Sequence, residues 1–346
     1  MQLAEKKYQR PVLMVPLRRC GSHAIRLRLN LSRDFYAPYP LHIVDFMPLV
    51  PHYGDLENDD HYFRMIVDVV NLQAINMVKW DIPFDPNEVF EVIKNEPRSV
   101  HRIVWELLFK VGRHNHARVV MDKSLDNIHY ANELMKLFDD MLFLNVVRDP
   151  RAQVSSMTRA IIHDFDPLLN ALMWVQAHTL AHRLTEKHPE RTLTIRYEDF
   201  INNQEKILRR ICTFLSIDFS PDMLDASCLE EGRKIAAMSA LWESNASPPI
   251  KANMDKFKQQ LDMEAIERIE TVGGELMDFY GYERITPGDA AITPEIIDQA
   301  RERSNTEKKK AWETLRHNDR RDWELRQLRN DFLAMTKTRV LRDFGS

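Results

Sequence analysis

The chain alternates short, continuously apolar runs with longer segments in which apolar residues recur every three or four positions. The first kind predicts buried strands and the second predicts amphipathic helices. Residues 11–17 (PVLMVPL), 117–122 (ARVVMD), 141–147 (MLFLNVV) and 191–197 (RTLTIRY) read as four strands. The run at 141–147 is continuous rather than alternating, which predicts cover on both faces. Helical patterns fall at 60–80, 86–111, 127–138, 150–160 with Pro150 in the first turn, and 168–187. A further helix follows RYEDF and carries Ile207, Leu208, Ile211, Phe214 and Leu215. Residues 23–31 (HAIRLRLNL) alternate as a strand would, yet they follow a glycine–serine turn and are read as a helix. Residues 34–54 are mixed, rich in Pro, Tyr and His. Strands alternating with helices predict an α/β fold: a central parallel sheet with helices on both faces.

From residue 291 the pattern changes to dense charge with spaced apolar residues. A domain at 1–290 followed by a charged helical extension at 291–346 is the expected organisation. Trp312, Leu315, Trp323, Leu328 and Phe332 are candidates for one stripe on that extension. Their spacing is too irregular for heptads. The extension is expected to pack on the domain or on a second chain, as a homodimer. No internal repeat is evident.

Composition narrows the class. Of the 346 residues 44% are hydrophobic and 29% charged, ordinary for a globular protein. A net charge of −4 argues against nonspecific nucleic-acid binding but leaves room for a local basic cleft. Cys20, Cys212 and Cys228 match no zinc spacing and make no disulfide framework, so a reducing, cytoplasmic setting is expected. The opening MQLAEKKYQR lacks a signal-type apolar stretch, and no run of about 18 apolar residues predicts a membrane span. Glycines number only nine, so each is expected where the backbone needs one.

In parallel sheets ligands gather at the carboxyl ends of strands. The four predicted strands end at Arg19, Lys123, Arg148 and Tyr197, three cations and an aromatic ring. The stretch VPLRRCGSHAIRLRL (Val15 to Leu29) passes from strand through a glycine turn into a helix. Backbone N–H groups and the helix dipole make such a turn an anion site, with Ser22 adding a hydroxyl and Arg19 a charge. The plainer alternative is a turn with solvated arginines. In NVVRDPRAQVSSM, Arg148 ends a strand and Ser156 follows eight residues later, a cation and a hydroxyl suited to phosphate. Alternatively Arg148 pairs with Asp149. Tyr197 could stack on a base or simply pack in the core. There is no GxxxxGK[ST] and no GxGxxG, which disfavours a Walker nucleoside triphosphatase and a dinucleotide oxidoreductase. No histidine arrangement suits a metal, and His114 and His116 read as a surface loop.

Taken together, these segments resemble the sulfotransferases that use 3′-phosphoadenosine 5′-phosphosulfate (PAPS). The likeness is closest to the branch holding the protein-tyrosine and bacterial glycan or polyketide enzymes. It covers about residues 10–284 and implies a P-loop-like sheet. Arg19-Cys20-Gly21-Ser22-His23, with Ala24 beyond it, is similar to the family's 5′-phosphosulfate loop. Arg148 and Ser156 match its 3′-phosphate motif, and the tyrosine of RYEDF, Tyr197, would lie near the adenine. MDKSLDNIHY would bring Lys123 to the sulfonate. SPPIKANMDKFKQQL resembles the late cofactor loop, with Lys251 near the 3′-phosphate and Ser247 near the sulfate. GELMDFYGYE is the usual closing helix. His23 departs from the family's Ser or Thr, and Cys20 reads as a packing residue.

The resemblance implies sulfuryl transfer from PAPS to a hydroxyl of a glycan, phenol or other acceptor, leaving 3′,5′-adenosine bisphosphate (PAP), without a metal. Arg19, Lys123 and the loop amides would neutralise charge on the leaving group. The family's base is a glutamate in text like Pro-Pro-Glu-Leu-His, and here Pro40 stands in its place. His42 is then the candidate base, with Asp45 and His23 as alternatives. An acceptor site is expected within residues 34–110, where Tyr36, Tyr39, His52, Tyr53, His61, Tyr62, Phe63, Trp80 and Trp105 are found, though most of these are expected to be core. The competing readings are a PAPS-binding protein that has lost catalysis with the glutamate, and a nucleotide kinase on a related fold.

Overall fold

A computed structural model of the chain describes residues 9–225, 229–246 and 251–344. The centre is one fully parallel sheet of five strands: β1 (Arg10–Val15), β2 (Phe35–Tyr36), β3 (Val119–Asp122), β4 (Leu142–Val147) and β5 (Thr192–Arg196). Their order is β2-β3-β1-β4-β5. Four strands were expected; β2 is the addition, a two-residue edge strand aligned with Val119 and Val120. It is too short to leave a periodic signal. The register sets Leu13 opposite Asp122, Val15 opposite Asn145 and Val147 opposite Arg196, so the carboxyl ends open onto one crevice.

The continuous apolar runs are explained by two separate cores. Val12 and Met14 of β1, with Leu144 and Val146 of β4, face one core. Leu13, Val15 and Phe143 face the other. Each strand therefore buries both sides, and its residues alternate between two apolar layers rather than between core and water. The first layer is closed by α1 (Ser22–Leu29), α8 (Tyr197–Asn202) and α9 (Gln204–Leu215), through Ile25, Leu29, Phe200, Ile207 and Ile211. The opposite layer is closed by α2 (Asp59–Ala74), α4 (Val100–His114), α5 (Ala131–Leu137) and α7 (Pro167–Lys187).

Two expected helices are shorter than their patterns. The pattern at 60–80 ends at Ala74, and 86–111 divides into α3 (Pro86–Ile93) and α4, with Pro97 between them. The 127–138 pattern opens as a 3-10 segment, Leu125–Tyr130, before α5. Residues 43–53 also form 3-10 turns. Helix α6 (Pro150–Met157) starts at Pro150 and is capped by the Asp149 carboxylate, which accepts from the Arg151 N–H at 2.9 Å.

The later helices are α10 (Leu229–Ala236), the single turns α11 (Ala252–Asp255) and α12 (Phe257–Gln260), and α13 (Met263–Tyr280), which packs on α7. The charged C-terminal region forms two long helices, α14 (Pro294–Asn318) and α15 (Arg320–Phe344), that fold back on the domain. The expected single stripe does not form. Phe332 packs on the main core, Trp323 stacks under Arg316, and Leu328 is exposed. Among the described residues no helix is long and apolar enough to cross a membrane.

Candidate active site

The crevice at the strand ends is a cleft of about 1320 Å³. Arg19, Lys123, Arg148 and Tyr197, the residues expected at the strand ends, all line it. Ser22, His23, Ala24, His42 and Ser156 line it too. The whole chain is net negative, yet this cleft collects Arg18, Arg19, Lys123, Arg148, Arg159, Lys256, Lys308, Arg326 and Arg329 against Asp45 and Glu243.

The turn after β1 has one allowed sequence at its centre. Gly21 has φ of 87°, and a Cβ there would stand 2.1 Å from Cε2 of Tyr197. Only glycine meets both demands. Gly21 caps α1 without any side-chain acceptor, and the first turn of α1 holds no acid, so no side chain there competes with an anion; the Ala24 N–H is taken by the Gly21 carbonyl at 3.0 Å. Arg19 also takes a left-handed backbone, φ 70°, held where Arg148 Nη1 donates to its carbonyl at 2.9 Å. Strain of this kind is retained where neighbours fix it.

The two segments read separately in the sequence meet here. Arg19 Nε donates to Ser156 Oγ at 3.1 Å. Arg148 Nη2 donates to the carbonyl of Asn253 at 3.1 Å, and its guanidinium lies 5.0 Å over the Tyr197 ring. The expectation that Asp149 might neutralise Arg148 fails for a clear reason. Asp149 is taken by Arg151 at 2.6 Å, and Arg151 also binds the buried Glu270 at 2.6 Å. Glu198 of RYEDF accepts from the Asp149 N–H at 3.0 Å and from Tyr282 at 2.8 Å, bracing the same corner. Arg148 is thereby left without an acid, and its buried Nε has no partner among the described residues. No carboxylate among the described residues pairs with Arg19, Arg148 or Arg159. Burial, then Arg148 and Arg159, lower the Arg19 pKa to about 10. Such a cluster favours a bound anion.

Lys123 is buried at the end of β3. Its Nζ is 3.0 Å from His23 Nε2 and 3.4 Å from Ser22 Oγ. Burial, reinforced by Arg26, lowers its pKa to about 7. His23 is held well below the usual histidine range, first by burial and then by Lys123. The Ser or Thr expected at position 23 is thus replaced by a neutral ring in hydrogen-bond contact with Lys123. Cys20 is fully buried and its thiol is pushed up to about 11, which fits packing rather than reactivity.

His42 lies across the cleft in a left-handed conformation, φ 54°. Its N–H donates to Ser124 Oγ at 3.3 Å, and its carbonyl accepts from Arg329 Nη2 at 2.9 Å. Arg329 also binds the Leu41 carbonyl at 3.0 Å and Asp45 Oδ2 at 3.0 Å, which removes Asp45 as a free base. The His42 ring meets Tyr39 edge-on, and Tyr39 stacks on His23 at 5.6 Å. Burial keeps His42 well below the usual histidine range, with Arg18 and Lys123 adding to it. Pro40 is buried, and its carbonyl accepts from Asn76.

One expectation is corrected. Lys251 is exposed and does not line the cleft; Lys256, five residues on, does. Ser247 lies outside the described residues. Of the aromatics at 34–110, Tyr39 faces the cleft, whereas Tyr53, Tyr62 and Trp105 are sealed in the core as most were expected to be. Sequence reasoning missed Arg159, Lys256, Trp312 and Arg329. Arg159 had a local signal, three residues beyond Ser156. Trp312 and Arg329 had none, because folding alone brings them to the cleft.

The structure is thus a parallel α/β sheet whose strand ends bring cations and an uncapped helix start to one crevice, the place where ligands gather in folds of this class. The chain belongs to the sulfotransferase family, whose model matches residues 11–221. It is 26% identical over 214 residues to omega-hydroxy-beta-dihydromenaquinone-9 sulfotransferase of Mycobacterium bovis, and equally to that of Mycobacterium tuberculosis. These matches take in 58% of this chain and 49% of each relative, so the chain spans about half the length of the curated relatives it matches. The fold is shared with the sulfotransferase domain from the curacin biosynthetic pathway (TM-score 0.52, 16% identity, 80% of this chain and 98% of that one). It is also shared with the sulfotransferase domain of the Synechococcus PCC 7002 olefin synthase (TM-score 0.52, 20% identity, 82% and 98%).

Proposed function

We propose that the protein is an active sulfotransferase that takes its sulfuryl group from PAPS and passes it to a hydroxyl-bearing acceptor. The observation that carries this reading is the group of Arg19, Arg148 and Arg159, clustered without an acid among the described residues, beside the uncapped start of α1. A nucleotide phosphorylated at both the 3′ and 5′ positions would offer two anions to this cleft. Arg148, Ser156 and Arg159 would hold the 3′-phosphate. Arg19, Lys123 and the amides of Gly21 to His23 would hold the 5′ end, and Tyr197 would meet the base.

The donor supplies a sulfuryl group on a phosphate leaving group. Lys123 and the first-turn amides stabilise the charge that grows on that phosphate. His42 is the base in this reading. Its Nδ1 is buried without a partner among the described residues, so proton transfer falls to Nε2. A polyanionic donor offsets the cations that hold the imidazolium down, which raises its proton affinity when the donor is bound. Residues 1–290 are the catalytic domain and 291–346 its helical extension. The free, buried thiols of Cys20 and Cys212 fit a reducing, cytoplasmic setting.

The test is calorimetry of PAP against ATP, followed by transfer from labelled PAPS to phenols and glycans. PAP is expected to bind at least about tenfold tighter than ATP. Equal binding, or none, would defeat the donor assignment. Tight PAP binding with no transfer to any acceptor would restore the reading of a non-catalytic nucleotide-binding protein.

A further inference from the structure

Besides its cations, the cleft has a second character. Ile161 and Ile162 follow α6, Trp312 lies on α14 and Leu325 on α15, and all four line the cleft half-buried. Among the described residues none of the four belongs to a hydrophobic cluster of the core. Apolar side chains normally enter such a cluster or stand singly on a surface. Four that gather on a concave wall continuous with a reaction site are what an apolar ligand would use.

The packing explains how they come together. Ser304 of α14 donates to Asp164 at 3.0 Å and accepts from the Phe165 N–H at 3.0 Å. That joins the 161–165 loop to α14 about two turns before Trp312. Asp322 of α15 accepts from Ser239 at 2.6 Å, and one turn on Arg326 lies 5.7 Å over the Trp242 ring, which fixes the stretch of α15 that carries Leu325. α14 and α15 are otherwise densely charged, so an apolar residue on their inner side is a choice of position. Both helices lie beyond the residues matched by the family model, 11–221.

We propose that α14 and α15 form the acceptor wall of the cleft. The acceptor is then an amphipathic small molecule, a hydroxyl on an apolar ring or chain, whose body lies against Trp312, Leu325 and the 161–162 loop. Trp312 is the main specificity-determining residue. This rests on the sulfotransferase reading for the direction in which the hydroxyl points, but the wall can be tested without it.

The experiment uses the full-length protein, with and without saturating PAP. Binding of 4-methyl-, 4-butyl- and 4-octylphenol and of glucose is measured by calorimetry, and PAP binding is measured separately. Affinity is expected to rise roughly two- to fourfold per added methylene, the scale of partial apolar burial, with glucose weakest. Trp312→Ala should flatten that dependence while leaving PAP affinity unchanged, and Trp312→Phe should restore most of it. Retained PAP binding certifies the fold of each variant. Affinity independent of chain length, or glucose matching octylphenol, overturns the proposal. So does a chain-length dependence that survives in Trp312→Ala. Chain-length-dependent binding in a protein that does not bind PAP keeps the acceptor wall and removes the donor reading. PAP binding with no alkylphenol binding removes the wall and keeps the donor reading.

Discussion

The two ends of the cleft are built in different ways. At the cation end Arg19, Lys123 and Arg148 come from strand ends and the turns just after them, so each sits beside a recognisable apolar run, whereas Arg159 and Lys256 follow α6 and α11. The opposite end is assembled from the loop at His42, the 161–162 loop and two helices near the C-terminus. Arg329 reaches the His42 carbonyl across 287 positions of sequence. Local pattern therefore encodes phosphate-group chemistry, and long-range packing encodes what shares the cleft with it. An enzyme made this way can keep one donor and change its acceptor by altering helices that the donor never touches.

That division predicts effects that separate cleanly. The largest is expected at His42. His42→Ala should lower the transfer rate by ~10²–10⁴, the usual contribution of a positioned base, with PAP affinity unchanged. The rate is measured with any acceptor the parent protein sulfates, and an undiminished rate would assign His42 a structural role. Arg148→Ala strikes the other end. It should weaken PAP by about 1.5–3 kcal/mol, roughly ten- to 150-fold, while alkylphenol binding to the free protein holds. Parallel loss of both ligands would mean the two ends are not independent.

The smallest effect is a pH dependence. The Lys123 pKa is about 7 in the free protein, far below the usual 10.5, because burial penalises its ammonium. A bound polyanion favours the protonated form. PAP affinity should therefore fall as pH rises from 7 to 9, by less than tenfold per unit. Phosphate itself completes its second ionisation near pH ~6, below this window. At the same end His23 lies well below 6.5, Arg19 is at about 10 and Cys20 at about 11, so Lys123 is the group that titrates within it. Calorimetry on Lys123→Met should show a weaker but flat profile, and a profile with the parent's slope would reassign the titration.

The legibility of the sequence followed the same boundary. Both-face burial of β4, the glycine turn and the meeting of cations at strand ends could all be read from short windows. The resemblance of RCGSH and VRDPRAQVSSM to known motifs assigned Arg19 and Ser156 to different ends of one cofactor, and did not foresee the 3.1 Å hydrogen bond between them. The edge strand Phe35–Tyr36 was lost because two residues carry no period. Lys251 was placed by motif alone, and the single-turn helices around it deliver Lys256 instead. Trp312 stood out as an aromatic in a charged helix, but composition could not say whether it faced the domain, a second chain or a ligand. Asp149 illustrates a subtler limit. Its position beside Arg148 suggested a pair, and only the buried Glu270 and Arg151, 119 residues apart, show why that pair does not form.

The Arg329 clamp also has a consequence for the order in which the protein becomes competent. A chain emerging from the ribosome presents every residue of the donor end long before residue 329 is translated, and N-terminal parts generally fold first. During that interval a nascent chain can fold its parallel sheet while the loop carrying His42 still lacks its anchor. The loop that carries His42 therefore gains its Arg329 anchor only after residue 329 has been made, later than every strand of the sheet.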